Sequence, residues 1–461
     1  METTISRTNR NSILFVICMA TTLVPFMGSS VNLALPIIAK EFSMNAISLG
    51  WLVSIFLLSS AIFPVPFSKL SDKFGRKKIF LLGIIVFMLG SILCVVSKSG
   101  EMLIVSRFFQ GIGAAMMFAT NMAIVTSIFP PNERGKALGI ITTVVYVSIS
   151  SGPFLGGMLT HYLGWRSIFI VSTIISFAVI IGILIFIKDE WIESKVEPFD
   201  WKGALFFGIG LSALIYGFSN LPKIIGFYSL AIGLLSLPIF IIFEKRQTSP
   251  VLNVNLFWEN KVFGFSSISA LINYSATFAI SFLLSLYLQY IKGFSAQHAG
   301  LVLIVQPLTQ AVLSPFTGSW SDKIDARKLA TTGMAIIVVG LLAMLFLSSS
   351  TSLYFIIVVS IILGIGFGTF SSPNMNVIMS SVEKKHLGLA SATTNTMRLT
   401  GQAISMGITM MVISILVGKI KISPDVLPQF MQSIHVTFII LAILCSIGVY
   451  TSWSGGKIIK T

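Results

Sequence analysis

Ser68-Lys69-Leu70-Ser71-Asp72-Lys73-Phe74-Gly75-Arg76-Lys77-Lys78 and Gly318-Ser319-Trp320-Ser321-Asp322-Lys323-Ile324-Asp325-Ala326-Arg327-Lys328 stand 250 positions apart, and both keep Ser-Asp-Lys and a basic pair. Gly111-Ile112-Gly113 recurs as Gly364-Ile365-Gly366, and Gly135 with Ala137 recurs as Gly388 with Ala390, each 253 positions on. A near-constant offset at three places argues for an internal duplication. Two related halves facing each other across a pathway are a hallmark of secondary transporters.

Around these loops the chain is built for lipid. It is 55% hydrophobic and 10% charged, against roughly 25% charged in a soluble chain. Apolar runs long enough to cross about 30 Å of hydrocarbon as helices fall near 12–38, 47–67, 79–97, 102–128, 137–160 and 167–187, then 202–220 and 224–243, then 262–290, 297–317, 329–348, 352–380, 388–417 and 433–453. The expected fold is all-α and integral to the membrane: a six-helix half over 1–190, an inserted helix pair with its linkers over 191–248, and a second six-helix half over 249–461. Arg7 and Arg10 precede the first run as in a signal peptide, but the run passes Leu35 without a small-residue cleavage site and reads as a retained span.

The net charge of +15 raises the question of nucleic acid, and the placement of the basic residues answers it. With the N-terminus inside, 22 Lys and Arg lie in cytoplasmic segments, 7 in external loops (Lys40, Lys98, Arg166, Lys223, Lys292, Lys419 and Lys421) and 2 within spans. That asymmetry is the positive-inside pattern of an inner-membrane protein with both termini in the cytoplasm. No nucleic-acid partner is expected. Cys18, Cys94 and Cys445 are scattered through apolar runs, so neither a disulfide nor a metal centre is expected, and no nucleotide loop or nucleophile–base pair indicates an enzyme or a cofactor.

Three strings within this frame resemble the major facilitator superfamily, specifically its fourteen-span drug:proton antiporter branch, and the resemblance covers nearly the whole chain. The loop at Asp72 is similar to the family signature between the second and third spans, with Ser68 at the usual leading Gly; Asp72, Gly75, Arg76 and Lys77, with Asp322 and Arg327 in the repeat, are the implied conformational switch. Arg107-Phe108-Phe109-Gln110-Gly111 resembles a second signature. Gly139 with Gly152-Pro153-Phe154-Leu155-Gly156-Gly157 resembles the antiporter signature, with Ser148 where a Gly is usual. Gly164-Trp165-Arg166, Asp200-Trp201-Lys202-Gly203 and Tyr287-Leu288-Gln289 fit the same branch. The resemblance implies export by alternating access, a small-molecule substrate, the proton as coupling ion and a monomer.

Arginine within a span is costly unless partnered, which makes Arg107 and Arg398 candidate coupling or cavity charges. Met27, Asn32, Asn121, Tyr146, Asn273, Gln306, Asn374 and Asn395 are candidate cavity-lining residues, although such polar side chains also serve as ordinary interhelix hydrogen bonds. No acid lies at mid-span. Asn32-Leu33-Ala34-Leu35-Pro36 matches the first-span string of the branch, but Met27 occupies the position of its acid. A neutral, amphipathic or anionic solute is therefore expected over a polycation, either a lipophilic drug or an endogenous metabolite or lipid; the remaining alternative is a non-transporting membrane receptor that keeps the fold.

Overall fold

The computed structural model describes residues 7–192, 200–247, 254–382, 387–418 and 420–454, apart from a few side chains within helices. Helix follows helix: α1 (Arg7–Phe42), α2 (Ala46–Ile62), α3 (Pro64–Phe74), α4 (Arg76–Val95), α5 (Gly100–Ile128), α6 (Pro131–Leu163) and α7 (Arg166–Phe186) form the first half. A middle pair follows, α8 (Trp201–Asn220) and α9 (Ile224–Glu244). The second half holds α10 (Val254–Glu259), α11 (Lys261–Thr277), α12 (Ala279–Leu286), α13 (Ala296–Leu303), α14 (Val305–Lys323), α15 (Ala326–Ala343), α16 (Leu353–Ser380), α17 (Leu387–Leu416) and α18 (Leu427–Ser454). In hydrocarbon every backbone donor and acceptor must be satisfied within the segment, which leaves helices as the way across for such runs.

Among the described residues, thirteen helical stretches are long and apolar enough to span, and α2 with α3, bent by 50°, makes a fourteenth. Pro64 and Pro66 supply no backbone N–H at the bend. The sequence reading placed one span there, and its limits elsewhere fall within a few residues of the helix ends. Helix starts are capped where the loops are polar: Asn45 accepts from Ser48 N at 2.9 Å, and Ser99 from Met102 N at 3.1 Å.

The repeated glycines do the same work in each half. A Cβ on Gly113 would stand 2.7 Å from Gly83 O, pinning α5 to α4, and one on Gly366 would stand 2.9 Å from Gly333 O, pinning α16 to α15. Gly111 likewise admits Phe56 O of α2 at 2.7 Å, and Gly364 admits Gln306 O of α14 at 2.6 Å. Close approach through small residues is how helices associate where lipid removes the hydrophobic drive. Outward-facing positions such as Ile174, Phe177 and Leu184 on α7 and Leu234 and Leu235 on α9 are exposed and apolar, as a lipid-solvated surface requires.

The halves meet along two seams: α6 packs on α13 and α14, and α2 on α17, with α1 against α12 and α13 between them. The hydrogen bonds across these seams are Ala46 N to Ile420 O (3.2 Å), Ser285 Oγ to Asn32 O (2.6 Å), Ser54 Oγ to Met410 Sδ (3.1 Å), Ser150 Oγ to Pro307 O (3.0 Å) and Tyr146 Oη to Ser371 Oγ (3.4 Å). They lie at mid-depth or towards the face opposite the two repeated loops. The halves are thus held closed on the face away from the basic loops. Outside the seam of α2 and α17 lies α8, touching both halves: Trp51 meets Tyr216 at 6.2 Å between ring centroids, and Ser414 Oγ donates to Leu221 O at 2.5 Å.

Candidate functional site

At the basic face the signature loop is a latch within the first half. Gly75 turns between α3 and α4 at φ +113°, a backbone conformation that side chains rarely adopt. Arg76 reaches back one turn to Asp72 (Nη2–Oδ1 3.1 Å) and across to Ser127 Oγ at the end of α5 (2.9 Å). Glu190, just after α7, accepts from Lys77 N at 2.8 Å, while Arg76 N donates to Trp191 O at 3.0 Å. A carboxylate on the first N–H groups of α4 also meets the positive end of its dipole. Glu190 was missed by sequence reasoning; its one signal was an acid placed directly after the last span of the half. In the repeat, Arg327 lies 3.6 Å from Asp325, donates to Trp453 O at 3.2 Å and stacks over the Trp453 ring at 5.1 Å. The Asp322 side chain lies outside the described residues. Each loop is therefore tied to the last span of its own half, the first through a carboxylate and the second through a tryptophan.

The antiporter-like string on α6 divides its glycines between two neighbours. Gly152 and Gly156 face α1, where Ser30 Oγ donates to Gly152 O at 3.0 Å. Gly157 and the carbonyl of Pro153 face the other half: a Cβ on Gly157 would stand 2.5 Å from Ala296 O, and one on Gly300 would collide with Pro153 O. Gly139, nearer the basic face, has nothing within 4 Å of its Cβ position and borders open space.

Arg107 is enclosed in the first half and does not reach the pathway. It is 1% exposed, lies 4.1 Å above the Phe56 ring, donates to Leu52 O at 3.4 Å and binds Gln110 Oε1, whose Nε2 in turn donates to Ser91 Oγ at 2.7 Å. Met27 is equally withdrawn, fully buried with its sulfur accepting from Ser172 Oγ of α7 at 2.8 Å. Asn121 bonds Thr21 (2.7 Å), Asn273 bonds Met334 Sδ (3.2 Å) and Asn374 bonds Ser266 O (3.2 Å), each joining helices of one half. Asn32 is buried beside the closed seam. The Asn121, Asn273 and Asn374 side chains thus tie helices together, whereas Tyr146, Gln306 and Asn395 stay half-buried.

Arg398 differs from all of these. It sits at mid-depth on α17, half-buried, with its guanidinium carbon 5.9 Å from the centroid of Phe118 on α5, across the gap between the halves. Its Nε is buried without a hydrogen-bond partner. The acids of the described spans lie at helix ends: Glu41, for example, is held by Arg166 (2.7 Å) and Trp165 Nε1 (2.7 Å). No group of three or more potential metal ligands occurs among the described residues.

Residues 17–269 and 266–454 each match the Major Facilitator Superfamily. The chain belongs to this superfamily. As a major facilitator it is a multi-pass membrane transporter of small molecules rather than an enzyme. It is similar to the riboflavin transporter RibZ of Clostridioides difficile (strain 630), 34% identical over 390 residues that cover 84% of each chain. It is also similar to the multidrug resistance protein Stp of Mycobacterium tuberculosis (strain CDC 1551 / Oshkosh), 29% identical over 387 residues covering 82% of this chain and 71% of Stp. Among solved structures, a bacterial homolog of the human lysosomal transporter Spinster superposes with a TM-score of 0.70, covering 98% of this chain and 97% of that one at 17% identity. At that identity the likeness speaks for the fold alone.

Proposed function

We propose that this transporter exports flat or amphipathic small molecules of neutral or negative charge across the inner membrane by alternating access, working as a monomer. One observation carries the reading: an arginine with an unpartnered Nε faces an aromatic ring across the gap, with no carboxylate at that depth to neutralise it. A guanidinium attracts anions and stacks on aromatic faces. A conjugated ring sandwiched between the two would need about 7 Å, so a separation of 5.9 Å opens to that width with a small movement.

The excess of Lys and Arg in the segments around the repeated loops supports cytoplasmic termini, which puts the closed face outside. The halves would rock about the α6 and α17 seams, with 1–190 and 249–461 as the moving bodies and 191–248 carried at the seam. The antiporter-like string on α6 and the likeness to a multidrug resistance protein support export, and the resemblance supports the proton gradient as the drive. Without a span-depth carboxylate, proton transfer falls to groups at helix ends such as Asp72, Glu41 or Glu101.

The likeness to a riboflavin transporter favours a second reading, a dedicated carrier of a flat heterocyclic metabolite. Binding to the purified chain separates the readings. Titration with riboflavin, with unrelated flat anions and with flat dications should rank dications last, and Arg398→Lys should weaken the flat ligands about tenfold or more, a loss of one stacked cation contact. A narrow preference for riboflavin selects the second reading, and tight binding of dications removes both.

A further inference from the structure

On the closed face a cavity of about 780 Å³ lies directly over the seam, with walls from both halves. The first half contributes Ile37, Lys40, Met44 and His161, and the second contributes Tyr290, Phe294, Lys421 and Ile422. Its size falls within the usual range of small-molecule sites, and its make-up is that of one: apolar surface with a few polar groups that converge. The charge has one sign: Lys40 and Lys421 line the cavity, and no Asp or Glu among the described residues does. The nearest acid in sequence, Glu41, is already held by Arg166 and Trp165. The start of α13 at Ala296 also borders the cavity and adds backbone N–H groups and the positive end of a dipole.

We propose that this vestibule binds amphipathic anions, a sulfonate, carboxylate or phosphate on an apolar body, and that it does so only while this face is closed. Its floor is the closed seam, marked by Ala46 N to Ile420 O at 3.2 Å and Ser285 Oγ to Asn32 O at 2.6 Å. Lys40 ends α1 of one half and Lys421 precedes α18 of the other, so parting the halves separates the two charges. A ligand that binds one of two states favours it by its differential affinity. At ten times its dissociation constant it shifts the equilibrium about elevenfold towards the closed face. With the orientation proposed above, this is an external brake on transport, separate from the mid-depth site at Arg398.

The test uses the full chain in nanodiscs of zwitterionic lipid, where both faces are accessible and orientation is not assumed. Naphthalene-2-sulfonate is added, and a water-soluble amine-acetylating reagent reads lysine accessibility by mass spectrometry. Labelling of Lys40 and Lys421 should fall about fivefold or more, while the exposed Lys98 and Lys223 of the same face stay unchanged; N-methylquinolinium, a cation of like size, should protect none. The sulfonate should raise the unfolding temperature of the wild type and of a Lys40→Arg/Lys421→Arg variant, but not of Lys40→Gln/Lys421→Gln. Protection in nanodiscs of phosphatidylglycerol without any probe would support the same site with a lipid headgroup as its occupant. No protection, equal protection of all four lysines, or protection by the cation overturns the proposal whether or not the glutamine variant folds.

Discussion

Replacing Gly157 by alanine isolates the closed seam. The added Cβ would stand 2.5 Å from Ala296 O, where real Cβ atoms essentially never come within 3.0 Å and ordinary contact begins at 3.4 Å. The obstacle is backbone from the other half, so no rotamer change relieves it, and α6 must retreat from α13 by roughly 0.5–0.9 Å to restore contact. Overpacking of this kind costs about 1–3 kcal/mol, charged to the closed form alone because the seam is absent when this face is open. The equilibrium should move about 5- to 150-fold towards the form open on this face. Within its own helix the change gains about 0.5–1 kcal/mol from alanine's lower backbone entropy, so thermal stability of the fold should hold. Spin labels at Lys98 and Leu353, one on each half near this face, report the separation by electron–electron resonance. Gly157→Ala should add a longer-distance population. Gly139→Ala, whose Cβ would have nothing within 4 Å, should leave the distribution unchanged. Indistinguishable distributions for Gly157→Ala and wild type, or an equal shift in Gly139→Ala, would refute the assignment of this seam.

Arg107→Ala should lower stability by about 2–4 kcal/mol, since Gln110 loses its partner inside the helix packing; thermal unfolding reads the loss, while ligand affinity at the mid-depth site should change less than twofold. Asp72→Asn removes the charge pair with Arg76, a partly buried contact worth about 0.5–1.5 kcal/mol, and should appear as faster hydrogen exchange at the start of α4 together with slower transport. Glu190→Ala strips the acceptor from Lys77 N and should cost about 0.5–2 kcal/mol. Glu190→Gln, which keeps an acceptor, should recover most of that in the same unfolding assay.

The fold was legible because its cause is local and periodic. Each apolar run had to be a helix, and the paired glycine strings marked the duplication; the helices they bring close became visible only in the packing. The bend between α2 and α3 at Pro64 and Pro66 was not read from the sequence, which gave one span over 47–67. The pathway was less legible. Whether an asparagine lines a gap or ties two helices depends on which face of the helix it occupies, and Asn121, Asn273 and Asn374 proved to be ties. Arg107 and Arg398 already differ in sequence by depth, about six residues from a span end against about eleven, which favours Arg398 for the gap. Tertiary placement adds the partners: the guanidinium of Arg107 is satisfied by Leu52, Gln110 and Phe56, whereas that of Arg398 faces Phe118. Glu190 joined the Asp72 loop over 113 positions of chain, a distance no local pattern spans.

Transport in proteoliposomes tests the central claim most directly. With the chain reconstituted and a proton gradient imposed, matched flat dyes carrying one negative charge, no charge and two positive charges are followed in the same vesicles. The account predicts transport of the anionic and neutral dyes, lost in Arg398→Ala, with the dication left behind. Gradient-driven movement of the dication, undiminished in Arg398→Ala, would contradict it.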